Sequence, residues 1–162
     1  MLARIHRRAV RLAILALATT ALNGCSRPVD LAKALHVTDV TSGWFDAGIV
    51  DGKNKLVPSI TFTLHNASAE ALTLQMNVMF LIQPSKEDQD DVFLQNIEVP
   101  ANGTSKALTV RAKYGFTGEQ PRADMLQHRL FQDFTVRLFA KRGSAQWTLV
   151  GEYPIKRQLL TR

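Results

Sequence analysis

The chain's 162 residues, 46% of them hydrophobic and 21% charged, suffice for one folded domain and exclude disorder over most of the length. The net charge of +6 is unevenly placed: Arg4, Arg7, Arg8 and Arg11 precede any acidic residue, and beyond them 16 basic side chains face 14 acidic ones, a balance of +2. A phosphate-binding surface needs a clustered basic stripe, so nucleic acid is excluded as a partner, and the single cysteine excludes a disulfide framework.

Met1 to Arg11 is short and basic, and the next eleven residues, Leu12 to Leu22 (LAILALATTAL), are uncharged and mostly apolar. Crossing a hydrocarbon layer about 30 Å thick takes roughly 20 apolar residues, so this run has the length of a signal-peptide core. Leu22, Asn23, Gly24 and Cys25 follow at once. The order resembles the lipobox of bacterial lipoproteins, with Leu three residues before the Cys and a small residue at the cleavage position. That resemblance implies removal of residues 1–24 by cleavage between Gly24 and Cys25. It also implies diacylation of the Cys25 thiol with palmitate-type chains and acylation of the new amino group. No other cofactor is expected. Two or more chains give stable anchoring where one holds only marginally. Ser26 stands where an Asp would retain a Gram-negative lipoprotein at the inner membrane, so the resemblance implies the outer membrane, with the domain facing the periplasm. In a Gram-positive cell the same signal implies the outer face of the only membrane.

Residues 25–33 are expected to form the lipidated N-terminus and a short tether, and residues 34–160 one domain. Strands are predicted at Val37–Val40, Trp44–Val50, Leu56–Asn66, Leu72–Gln83, Val92–Val99, Lys106–Tyr114, Asp133–Lys141 and Gln146–Ile155. The clearest are those where Ile60, Phe62 and Leu64, or Phe134, Val136 and Leu138, alternate with polar neighbours. Turn chemistry separates them: Asp51-Gly52 suits a hairpin, and Asn66–Glu70, Pro84-Ser85, Ala101–Gly103 and Arg142–Ser144 suit further turns. Arg122–Leu130 interrupts the pattern as a short helix or loop crossover. Seven or eight short strands with regular turns predict an all-β antiparallel sandwich. The stretch Val57–Asn66 (VPSITFTLHN) and the Val99–Gly103 turn resemble immunoglobulin-like or fibronectin-III-like domains of bacterial envelope proteins.

Little in the chain points to catalysis. His6 falls in the signal segment, and His36, His65 and His128 are isolated from one another in sequence and from any HExxH-like spacing; no GxSxG elbow, P-loop or GxGxxG is present. No catalytic or metal-ligating residue is nominated, and an enzyme is not expected. Glu87–Asp91 lacks the Gly and distant Glu of a calcium loop and reads as a solvated hairpin tip. Trp147 is expected in the core, whereas Trp44-Phe45 fits either core or surface. Asn66-Ala67-Ser68 and Asn102-Gly103-Thr104 match a glycosylation sequon but read as turns. The expectation is a non-catalytic, membrane-tethered accessory module, for example of a transport or assembly system. Its contacts would be membrane lipid through the anchor and an envelope protein added at a free strand edge. The alternative is a lipid- or small-ligand-binding carrier, which an apolar cavity would support.

Overall fold

Period-two alternation becomes two packed sheets in the computed structural model, which describes residues 29–160. Cys25, the Gly24–Cys25 junction and the apolar run before it lie outside the described residues. The chain enters through one helical turn, α1 (Leu31–Ala34), where the Asp30 carboxylate accepts from the Ala32 N–H at 3.1 Å. Leu31 is buried in the core, so α1 packs with the domain although its first three residues were assigned to the tether.

β1 (Leu35–Val50) and β2 (Lys53–Asn66) form a long hairpin. Its turn is the predicted one: Asp51 and Gly52 both take positive φ, 50° and 76°, as the tight primed turns that match strand twist require. The two strands expected before that turn are one. A bulge after Thr38, with Asp39 at φ 52°, shifts the register before pairing resumes at Thr41, which breaks the alternation without breaking the strand.

The other edge of β2 receives β5 (Gly103–Thr104), β6 (Leu108–Arg111) and β7 (Phe116–Gly118) in succession. Pro58 is tolerated inside β2 because the Trp44 N–H turns outward to the Gln158 carbonyl. The Trp44–Pro58 pair thus exchanges no ladder bond, and Pro58 faces the interval between β6 and β7. The predicted strand Lys106–Tyr114 ends at Arg111 because the next residue, Ala112, stands opposite Pro58: its N–H reaches the Pro58 carbonyl at 3.0 Å, but proline has no N–H to return.

The second sheet has the order β4-β3-β8-β9, from β3 (Leu72–Ile82), β4 (Asp88–Val99), β8 (Phe134–Lys141) and β9 (Thr148–Pro154). A last short strand, β10 (Leu159–Leu160), runs parallel to β1, so the first sheet is mixed where an antiparallel one was expected. Gly43 allows that approach, since a Cβ there would lie 2.8 Å from the Gln158 carbonyl oxygen. The described chain is an all-β two-sheet sandwich with ten strands. The excess over the seven or eight expected is β5, β7 and β10, which at two or three residues are too short to show a period.

Between the sheets, Ile60, Phe62 and Leu64 of β2 meet Met76, Val78 and Phe80 of β3 and Val136 and Leu138 of β8, all fully buried. Each such side chain contributes about 1.5–3 kcal/mol. The crossover Arg122–Leu130 holds a single helical turn, α2 (Arg122–Met125), whose Met125 and the following Leu126 are buried while Leu130 is 64% exposed. Arg157 fastens this segment: its guanidinium is bidentate to Asp133 at 2.6 and 3.1 Å and donates to the Leu126 and Phe131 carbonyls.

Asn66 closes the opposite end. Its fully buried amide donates to the Glu70 and Pro100 carbonyls and accepts from Ser68. The first sequon asparagine is therefore a turn residue whose nitrogen is already engaged. Asn102 of the second is at φ 47° in the turn before β5.

Candidate functional site

β4 is the outermost strand of its sheet, with β3 its one strand partner among the described residues. Its register shifts between the Leu74–Ile97 and Met76–Leu94 pairs, leaving Gln95 and Asn96 as an exposed bulge with Asn96 at φ 55°. An extra residue bends and twists an edge strand locally. Beside this bend a groove of about 720 Å³ opens between Phe93–Glu98 and Pro100 on one wall and Thr104, Ser105, Lys106 and Leu108 on the other. The two walls belong to different sheets, so the groove lies along an open flank of the sandwich.

The groove's lining is apolar below and polar at its edges. Leu94 and Leu108 are half-buried and Ile97 nearly fully so, while Gln95, Asn96, Thr104 and Lys106 are exposed. Glu98 and Lys106 are the ionisable side chains among the lining residues, which include no histidine or cysteine. An apolar floor with polar edges suits an extended peptide or an acyl chain. Its volume falls in the roughly 300–1,000 Å³ range of ligand pockets.

Phe93 links the groove to the outer face of the second sheet. There it stands 59% exposed, with its ring centroid 6.3 Å from that of Trp147. The Lys141 ammonium lies 4.7 Å from the Trp147 centroid, and Leu149 is 49% exposed. Trp147 is therefore a surface residue, 38% exposed, and the expectation of a core position is corrected. It precedes β9, which begins at Thr148, so strand alternation does not govern it, and its ring folds over the sheet's outer face. The core tryptophan is Trp44, 1% exposed, edge-to-face against Phe131 and Phe134. Phe45, on the opposite side of the same strand, is half-buried beneath the Arg111 guanidinium at 3.4 Å.

The acidic run is not a hairpin tip. The turn falls at Gln83–Ser85, and Asp88, Asp90 and Asp91 belong to β4, where Asp90 is drawn inward to accept from the Lys113 N–H. Asp91 suffers most from this placement. Burial first, then repulsion from Asp88 and Asp90, holds its carboxyl above the ordinary 3.8, with Asn77 pulling partway back. The folded state thus favours the protonated form, and its charge weakens the fold as pH rises from 3.8 through the raised value. Asp91→Asn is expected to exceed the native chain in stability at neutral pH and to match it at about pH 3, where both folded and unfolded carboxyls carry protons. Urea midpoints at the two pH values measure this, and coincident midpoints at neutral pH would refute it.

The histidines are less isolated than their spacing suggested. His36 and His65 are register partners on β1 and β2, and their rings stack with centroids 6.5 Å apart. His128 lies instead beside Phe116 at 5.7 Å. No group of three metal-ligating side chains occurs among the described residues. Neither the groove nor the aromatic face was nominated from sequence. Pro100 and the apolar β4 positions were visible, but their meeting with residues 104–108 depends on how two sheets stack.

No family model and no curated protein matches the chain. Among solved structures, it is similar to a Northeast Structural Genomics Consortium target, SoR45, at 13% identity and a TM-score of 0.47, covering 77% of this chain and 88% of that one. It is also similar to a calcium-binding mutant of Bacteroides uniformis beta-glucuronidase 2, at 15% identity and a TM-score of 0.42. That match covers 75% of this chain and 12% of the much longer enzyme. Similarities this distant bear on neither the site nor the activity.

Proposed function

We propose that this chain is a lipoprotein of the bacterial envelope, anchored through acyl groups on Cys25. In this reading its domain is a non-catalytic interaction module that takes an extended segment of an envelope protein along β4. The sequence support is the basic, apolar and Leu-Asn-Gly-Cys order of residues 1–25, with Ser26 favouring the outer membrane and a periplasmic domain. We also read the sandwich as immunoglobulin-like, of the fibronectin-III kind. The strand orders β1-β2-β6 and β4-β3-β8-β9 are what such a domain would present.

The observation that carries the interaction reading is the β4 edge, unpaired among the described residues, beside a groove of about 720 Å³. An extended peptide would find backbone donors and acceptors on the strand and an apolar floor for alternate side chains. The same groove favours the second reading, a carrier whose acyl or small apolar ligand lies on Leu94, Ile97 and Leu108.

A photoreactive benzoylphenylalanine at Gln95, set against one at Lys53 on the β1–β2 hairpin, separates the two in intact cells. The interaction reading expects a discrete protein adduct at Gln95 and none at Lys53. Lipid recovered as the Gln95 adduct would favour the carrier, and equal protein adducts at both positions would overturn a specific groove.

A further inference from the structure

We propose that the face carrying Trp147, Phe93 and Leu149 rests at headgroup level on the membrane that holds Cys25, so that the protein lies docked on the lipid rather than swinging above it. This rests on the anchoring reading given above and adds an orientation to it.

The chain's own geometry limits where the face can go. Cys25 is four residues before Val29, and four residues span at most about 14 Å. Val29, Asp30 and Leu31 line a cleft together with Arg142, Ala145, Gln146 and Thr148, the loop that presents Trp147. The tether thus leaves the domain beside that loop. A body held this close to a lipid surface must turn some face toward it, and the nearest one is aromatic.

The chemistry of the face fits the interface. Trp147 is 38% exposed, with an apolar ring and a polar indole nitrogen, the amphipathic form that settles among headgroups. Phe93 and Leu149, at 59% and 49% exposed, add apolar area around it. Lys141 over the Trp147 ring supplies a cation for anionic headgroups, while its neighbour Arg142 is paired with Glu70 at 2.9 Å. The control position lies toward the other end of the strand: Ile49, 70% exposed, is fourteen residues along β1 from Leu35, roughly 45 Å of strand at about 3.3 Å per residue.

The chain has two tryptophans, and the other is buried, so fluorescence reads the contact directly. The full lipid-modified protein is reconstituted into vesicles of phosphatidylethanolamine and phosphatidylglycerol containing phospholipid brominated near the headgroup end of its chains. The expected result is quenching of the emission component that Trp147→Phe removes, with iodide in solution failing to reach it. A tryptophan placed at Ile49 in the Trp147→Phe background should stay unquenched by the bromines and open to iodide. Protein that floats with the vesicles while Trp147 stays open to iodide and unquenched would overturn the docking and leave the anchor standing. Equal quenching at positions 49 and 147 would also overturn it. Protein that neither floats nor carries acyl mass would overturn the anchor, and the docking with it.

Discussion

A Cys25→Ser chain is expected to accumulate at its precursor mass, without acyl groups and with residues 1–24 uncleaved. Transfer of a diacylglyceryl group needs a nucleophile that ionises readily, and a serine hydroxyl lacks the thiolate chemistry that a cysteine supplies. In the lipoprotein reading cleavage follows that modification, so one atom would block both steps. The effect is all or none because anchoring is steep: a single chain of myristoyl length gives a binding constant of only about 10⁴ M⁻¹, and lasting attachment needs a second. The retained apolar run Leu12–Leu22 would keep some affinity for membranes, so mass and incorporation of labelled palmitate decide the matter rather than fractionation. The fold should be indifferent, since the described core begins at Leu31. A serine variant that matures to the native mass, or a native protein without acyl mass, would end the lipoprotein reading.

Replacing Trp44 with alanine is expected to cost about 3–5 kcal/mol, the range for removing a buried aromatic side chain. Trp44 is 1% exposed at the point where β1 pairs with both β2 and β10, and its ring meets Phe131 at 4.4 Å and Phe134 at 5.5 Å. Those two residues bracket the end of the crossover, so the indole is the wedge between the first sheet and the segment returning to the second. Each edge-to-face pair adds about 0.5–1.5 kcal/mol beyond the area it buries. At about 2–8 °C per kcal/mol for domains near this size, Tm should fall by more than about 6 °C. Trp44→Phe should lose much less, because the indole nitrogen has no hydrogen-bond partner among the described residues and an aromatic ring remains. Thermal and urea unfolding followed by circular dichroism measure both; an alanine variant within about 3 °C of native would show that the site collapses around the loss.

Where β2, β3 and β8 lie was readable from residues alone, because a strand with one covered face alternates with period two whatever it packs against. Ile60, Phe62 and Leu64 announced their strand in this way, and Asp51-Gly52 its hairpin, since that turn's positive φ values favour those residue types. The pattern fails where pairing is imposed from outside. The bulge at Asp39 made one strand read as two, and β5, β7 and β10 exist only because β2 and β1 offered them open edges. The sixth strand stops early for a similar reason: Pro58 on β2, opposite Ala112, has no N–H to continue the ladder.

Surface and site followed the same division. Adjacent residues on a strand point to opposite sides, so Trp44 and Phe45 could not both be core, yet nothing local says which of them faces the second sheet. Trp147 was misplaced because its composition suggests burial while its position, one residue before β9, frees it from alternation. The groove joins β4 to residues 104–108 across two sheets, and the stacked histidines are joined only by register. Local order along the chain specifies which way side chains alternate; the stacking of the sheets, set by the shared core, specifies which of them meet.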